Sequence, residues 1–168
     1  IQGRFKTRLS LSSANVDEVI QERLLRKNDA VVPGLAQLYT EKGDILKNQL
    51  SFRDVGTTYK RFKESGDFTA TYPFAPYQFK LLQRIFEPIR KAGATGLHLA
   101  QGERSLLDAF QHAAKTISSE DIGVLVPLYM FYPSIESFLD TTVKRTIDHA
   151  KENPSLEPFD IEVLKVLF

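Results

Sequence analysis

Apolar residues recur at intervals of three and four positions through most of this 168-residue chain. This spacing places side chains on one face of a helix, whereas a strand puts alternate residues on the same face. In "PYQFKLLQRIFEPIRKAG" the apolar face consists of Phe79, Leu82, Ile85, Phe86 and Ile89. Such faces have to be buried against one another, so the sequence predicts a mainly α-helical fold.

The N-terminal segment carries the one predicted strand. In "GRFKTRLSL", residues 3–11, polar residues alternate with Phe5, Thr7, Leu9 and Leu11, which is typical of a half-buried strand. The next stretch, "SSANVDEVIQERLLRK", has a serine cap, acidic residues near its start and basic residues near its end. These signals predict the first helix.

Proline and glycine set the expected limits of the middle helices. A helix is predicted from Pro33 to Leu50, weakened or broken at Gly43. No element is predicted for the polar residues 52–68, and "TATYPFAP" is expected to be extended. Pro88 is expected to kink or end the helix that contains Phe79, because proline removes a backbone hydrogen bond.

After residue 118 the pattern predicts further helices. "SSED" is expected to cap a short apolar helix containing Pro127, and Pro133 is expected to open a longer one. The linker "SLEPFD" then leads to a final helix. In total we expect six or seven helices and one short strand. Their apolar faces would form one hydrophobic core, either undivided or divided near residue 120.

Composition excludes several classes of function. The net charge of +1 argues against a general affinity for nucleic acid or anionic membranes, and the absence of cysteine excludes disulfides and thiolate metal sites. The absence of cysteine also fits a reducing cytoplasm. The longest apolar run has 11 residues and contains a proline, so no membrane helix is expected. The final "FDIEVLKVLF" has no stop signal, which favours a piece of a longer protein.

No residue pattern indicates catalysis or a metal site. His98, His112 and His149 are neither three nor four residues apart, and ordinary surface or core positions explain them. Acid pairs such as Glu120 and Asp121 fit the first turn of a helix. The chain also lacks the glycine-rich phosphate-binding patterns of nucleotide-binding proteins.

Arg104 is the one side chain that the sequence singles out. In "GERSLLDAF", Ser105 and Asp108 resemble an N-cap and its partner, which predicts a helix starting at Ser105. An arginine just before the positive end of a helix is unfavourable unless an anion approaches. Arg104 is therefore either a phosphate sensor, acting with the free N–H groups of that helix, or a surface residue paired with Glu103 or Asp108.

One stretch of the chain is locally basic. Between Arg53 and Lys91 there are eight Lys or Arg residues and four acidic residues. A solvated helix face explains this excess, and a nucleic-acid-binding surface is the alternative.

The order of the motifs resembles a known family. "GRFKTRLSL" leads into "SSANVDEVIQERLLRK", and "YPFAPYQFKLLQ", "GERSLL" and "LKVLF" follow. This resembles the region after the nucleotide-binding core in ORC/Cdc6-like and STAND-type AAA+ ATPases. More narrowly, it resembles the BrxC family of P-loop ATPases from bacterial BREX phage-defence systems and their PglY-type relatives.

The resemblance implies a division into three parts. Residues 1–12 would be the last strand of the ATPase core, and residues 13–117 the helical lid. Residues 118–168 would begin a second helical, winged-helix-like module. Arg104 would correspond to the sensor-2 arginine that reaches the γ-phosphate of ATP, and Arg4 in "GRF" to an arginine finger, with a solvent-facing strand residue as its alternative.

The resemblance also implies a function for the chain. Without Walker A and Walker B motifs, ATP and Mg²⁺ belong to the parent protein, and no cofactor is expected here. The chain would be a non-catalytic, cytoplasmic regulatory piece that couples nucleotide state to domain movement and assembly. Expected partners are its own ATPase core, other BREX proteins, further copies and DNA, but no membrane. The alternatives are a DNA-binding winged-helix module and a purely structural interaction module.

Overall fold

A computed structural model describes the backbone of residues 16–52, 59–92 and 99–167. Side chains are described over 16–52, 59–88 and 105–167. Within these ranges the chain forms helices, turns and extended links, which confirms the predicted mainly helical fold. The predicted strand at residues 3–11, the serine caps of the first helix and Arg4 all lie outside the described residues.

The first described helix is short and changes its winding. Helix α1, Val16–Val19, continues into a π-helical turn, Ile20–Leu24, in which the Leu25 N–H bonds the Ile20 carbonyl at 3.0 Å. Val16, Ile20 and Leu25 are buried. The wider π-helical turn therefore places the Leu25 side chain on the same apolar face of the helix as Val16 and Ile20.

Helix α2, Val32–Gln49, continues through Gly43, so the expectation of a break there is wrong. A Cβ atom at Gly43 would lie 3.2 Å from Cε1 of Tyr39, whose ring is buried. The glycine makes room for this ring one turn away. A tertiary contact thus explains a residue that local propensity alone disfavours.

Helix α3, Ser65–Thr71, corrects the prediction of an extended lead-in. Its Phe68 is 1% exposed and is packed against the buried Phe62, so burial outweighs the weak local signal of "SGDFTAT". The peptide bond between Tyr72 and Pro73 is cis, and the chain turns there into the next helix.

Helix α4, Pro76–Ala92, does not end at Pro88. The side chain of Pro88 is exposed, so solvent is available to the Arg84 carbonyl that loses its partner. Helix α5, Leu99–Thr116, packs against α4. It buries a stripe with spacings of three and four residues: Leu106, Ala109, Phe110 and Ala113.

The segment after α5 differs from the prediction in detail. Residues 124–127 have no regular secondary structure, and a 3₁₀ helix, Leu128–Phe131, follows Pro127 in place of an α-helix. The single helix expected from Pro133 is divided into α6, Tyr132–Ile135, a 3₁₀ turn, Glu136–Phe138, and α7, Thr141–Glu152. Asp140 caps α7 by accepting from the Thr142 N–H at 2.7 Å. Helix α8, Pro158–Leu167, is the last element.

The main core lies between α1, α4, α5 and the first 3₁₀ helix. Its centre is Phe110, whose ring centroid is 4.8 Å from Phe74, 4.9 Å from Phe79 and 5.3 Å from Phe131. Val126 and Phe131 belong to the same buried cluster. Residues on both sides of position 118 therefore contribute to one hydrophobic core.

A smaller cluster forms between α2 and α3. Tyr39, Phe62 and Phe68 contact one another with ring centroids 5.4–6.2 Å apart. Ala75 belongs to this cluster, whereas its neighbour Phe74 belongs to the main core. The link between α3 and α4 is therefore the point where the two clusters meet.

Buried hydrogen bonds fix residues 124–127 against this link. Gln78 is 1% exposed; its Oε1 accepts from the Ala75 N–H at 2.9 Å and its Nε2 donates to the Val126 carbonyl at 2.8 Å. The Val126 N–H donates to the Pro73 carbonyl at 2.9 Å. Gly123, at a φ of 115° that favours glycine, donates from its N–H to the Tyr72 hydroxyl.

Candidate functional site

The structure changes the local setting predicted for Arg104. Helix α5 begins at Leu99, so Arg104 is its sixth residue, and Ser105 and Asp108 lie in the helix interior. The expectation of a helix starting at Ser105 is wrong. The free N–H groups of a helix belong to its first four residues, so those of α5 precede Arg104. The side chain of Arg104 lies outside the described residues, and so does all of Arg4.

The C-terminal part of α5 is held firmly in the core. Ala109, Phe110 and Ala113 have no exposed surface, and Leu106 is 5% exposed. Arg104 precedes the first of these core positions by two residues. Its backbone is therefore part of the same continuous helix that packs against α4.

The predicted basic stretch acquires a definite arrangement on α4. Lys80 and Arg84 lie one helical turn apart and are both exposed. Arg84 Nη1 lies 3.2 Å from the Tyr59 hydroxyl oxygen, and the guanidinium carbon is 5.6 Å from the centroid of that ring. Tyr59 in turn contacts Phe52, at 5.6 Å between centroids. Basic and aromatic side chains thus share one surface.

Asp17 is the carboxylate associated with this surface. Its Oδ1 accepts from Nε2 of Gln83, and its Oδ2 lies 3.8 Å from Nζ of Lys60. Partial burial raises the pKa of Asp17, and the nearby ammonium groups of Lys60 and Lys80 oppose the rise. Sequence reasoning missed this residue, because its partners are more than 40 positions away along the chain.

An open cleft lies beside the link between α3 and α4. It has a volume of about 350 Å³, and its wall includes Lys27, Tyr72, Ile117 and Glu120. Burial lowers the pKa of Lys27 to about 8, and its ammonium donates to the Leu25 carbonyl. The sequence suggested only a helix end for this lysine, since its burial depends on residues after position 70.

An apolar stripe on α8 is exposed. Phe159 is 69% exposed and Leu167 is 76% exposed, and the exposed Val163 and Val166 continue the stripe at spacings of three and four. Such a stripe is typical of a helix face that packs on a partner. The sequence predicted the helix but not that this face would be open to solvent.

The remaining candidates for chemistry are dispersed. His112 and His149 are exposed, on α5 and α7 respectively, and His98 lies outside the described residues. Over the described ranges there is no group of three or more acidic, histidine or cysteine side chains suited to a metal ion. None of the described helices is long and apolar enough to cross a membrane.

A scan of the sequence against protein-family models gave no match, and a search of the solved structures gave no significant match.

Proposed function

We propose that this chain is a non-catalytic regulatory module of a P-loop ATPase of the BREX phage-defence type. The sequence motifs around Arg104 motivate the proposal, and one structural observation supports it. Helix α5 continues without a break from Leu99 to Thr116. It joins the position of Arg104 directly to the buried residues of the main core.

The proposed mechanism follows from this continuity. A guanidinium group binds phosphate oxygens through a rigid set of N–H donors, so Arg104 would hold the γ-phosphate of ATP bound to a separate ATPase core. After hydrolysis that contact is lost, and the helix and its core move as one body. A difference in contact between the ATP and ADP states is what allows a nucleotide to shift a conformational equilibrium.

The position of Arg104 within α5 determines which donor groups would bind phosphate together with it. The helix starts before Arg104, so the guanidinium group would act without the N–H groups at the helix start. ATP and Mg²⁺ would be held by the core of the parent protein, in the cytoplasm. Arg4 would act as a finger toward the nucleotide of a neighbouring subunit.

The test is ATP turnover by the longer ATPase that this proposal requires. We expect Arg104→Ala to lower turnover strongly while the circular dichroism spectrum stays unchanged. Arg145→Ala is the matched control, since Arg145 is an exposed arginine on α7. Equal turnover of both variants and the wild type would refute the role of Arg104.

The exposed stripe on α8 favours a second candidate, an interaction module without a nucleotide role. Its apolar side chains would pack on another subunit or another defence protein. This candidate predicts that Arg104→Ala leaves turnover unchanged, whereas Phe159→Asp abolishes assembly. Size-exclusion chromatography with light scattering measures that assembly. The winged-helix alternative has less support, because over the described residues 118–167 no strand forms that would build a wing.

A further inference from the structure

The basic and aromatic residues around the start of α4 form one continuous surface, which we call the α4 basic face. Its aromatic rings are partly exposed, and its cationic side chains are all exposed. The face consists of Phe52, Tyr59, Lys60, Arg61, Tyr77, Lys80 and Arg84.

The aromatic rings of this face are held in place by one another. Phe52 contacts Tyr77 at 4.9 Å and Tyr59 at 5.6 Å between ring centroids. The Arg84 guanidinium contacts both the hydroxyl and the ring of Tyr59. Arg61 donates to the Phe52 carbonyl at 2.6 Å. A platform fixed in this way loses little conformational freedom when a planar group stacks on it.

The charge on this face is positive. Four exposed cations belong to it, and the partly buried Asp17 neutralises only part of their charge through Lys60. Glu87 follows Arg84 by one turn and marks one limit of the basic region. The chain as a whole is nearly neutral, so this excess is a local property of the surface.

We propose that the α4 basic face binds single-stranded nucleic acid. Cations along a groove or helix contact the phosphates, while exposed aromatic rings stack on unpaired bases, and together these are the recurrent features of single-strand sites. Lys80 and Arg84 contact phosphates in this arrangement, and Tyr59 stacks on a base. A duplex keeps its bases paired and an acidic peptide has none, so neither uses the rings. This site is independent of any role of Arg104.

The test measures binding of the 168-residue chain to fluorescein-labelled oligothymidine by fluorescence anisotropy. The probe has about 20 nucleotides, which exceeds the ~4–16 nucleotides that one single-strand site covers. We expect tighter binding to this probe than to a duplex of equal length or to polyglutamate. Equal or tighter binding of either competitor would refute stacking as the basis of recognition.

Substitutions locate the site. We expect the double variant Lys80→Gln and Arg84→Gln to bind the oligothymidine at least tenfold more weakly. We also expect the slope of log affinity against log salt concentration to become smaller in magnitude by about 1.4, since each single-strand phosphate contact contributes about 0.7. The matched control replaces Lys42 and Arg145, exposed cations on α2 and α7, by Gln. If both variants lose affinity equally, the binding is general charge attraction and the proposal is wrong.

Two further variants separate the aromatic and ionic contributions. We expect Tyr59→Leu to weaken oligothymidine binding about tenfold while leaving the salt slope unchanged, because stacking releases no counterions. Asp17→Asn frees Lys60 from its carboxylate and is expected to tighten binding. Urea unfolding of each variant confirms the fold, and unchanged affinity of Tyr59→Leu in a folded chain would contradict the proposed role of the ring.

Discussion

The hydrogen bonds of Gln78 provide the sharpest test of how the two halves of the chain are joined. Its amide satisfies the Ala75 N–H and the Val126 carbonyl, both within a buried part of the structure. Gln78→Met preserves the length of the side chain but removes both hydrogen bonds. The Ala75 N–H and the Val126 carbonyl then lose these partners.

The expected loss of stability follows from those two groups. A buried polar group without a partner costs about 1–3 kcal/mol, so the pair predicts about 2–6 kcal/mol. The apolar end of Met recovers about 1 kcal/mol by burial, which leaves an expected loss of about 1–5 kcal/mol. This is a large part of the ~5–15 kcal/mol that typically separates folded and unfolded domains.

Urea unfolding followed by circular dichroism measures this loss. Gln37→Met is the matched control, because Gln37 is an exposed helical residue whose amide donates to the exposed Glu41 carboxylate at 3.0 Å. We expect the control to change the free energy of unfolding by less than about 0.5 kcal/mol. If Gln78→Met destabilises the chain no more than the control does, residues 124–127 are not held to α4 as described.

Three further predictions concern packing and pH. Gly34→Ala should stabilise α2 by about 0.5–1 kcal/mol in urea unfolding, since among the described residues no atom other than those of its chain neighbours and its own helix backbone lies within 4 Å of the added Cβ. Gly43→Ala should give no such gain, because its Cβ would lie 3.2 Å from the Tyr39 ring. Equal effects of the two substitutions would contradict the packing of that ring. Burial raises the pKa of Asp17 in the folded state, so its ionised form opposes folding above that pKa. Asp17→Asn should therefore raise the free energy of unfolding at neutral pH, by an amount that shrinks as the pH falls through the raised pKa, and a pH-independent difference would contradict this. Burial lowers the pKa of Lys27 from 10.5 to about 8, so the folded chain loses this proton at a lower pH than the unfolded chain does. The stability of the wild type should rise between about pH 8 and 10.5 relative to that of Lys27→Met, and parallel pH profiles would show that the ammonium is not buried.

The helices with regular apolar stripes were predictable because burial and periodicity agree in them. The stripe from Phe79 to Phe86 predicted α4, and Pro33 and Leu50 lie within one residue of the limits of α2. The stripe after Leu106 likewise predicted α5, although its start at Leu99 was missed. A serine at position 105 resembles a cap, but neighbouring residues decide whether the helix extends beyond it.

The errors occur where a distant contact outweighs local preference. Gly43 is accommodated by the Tyr39 ring, and Phe68 stabilises α3 through burial in the smaller cluster. Asp140 ends one segment and caps the next, which divides what the apolar pattern suggested was a single helix. Local patterns do not contain these contacts.

The candidate sites show the same limit. The basic stretch from Arg53 to Lys91 was visible in the sequence, but its arrangement with Tyr59 and Asp17 depends on how α1 and α4 pack. Nothing local distinguishes Lys27 from other lysines near helix ends. Arg104 was identified by motif, and its role remains a prediction.

The most direct test of the proposed function is the preference of the parent ATPase for ATP over ADP. Isothermal titration with ADP and a non-hydrolysable ATP analogue gives the ratio of the two dissociation constants for the wild type and for Arg104→Ala. A guanidinium that contacts only the γ-phosphate predicts weaker binding of the analogue, unchanged binding of ADP and therefore a reduced ratio. The same ratio in both proteins would show that Arg104 does not sense the γ-phosphate.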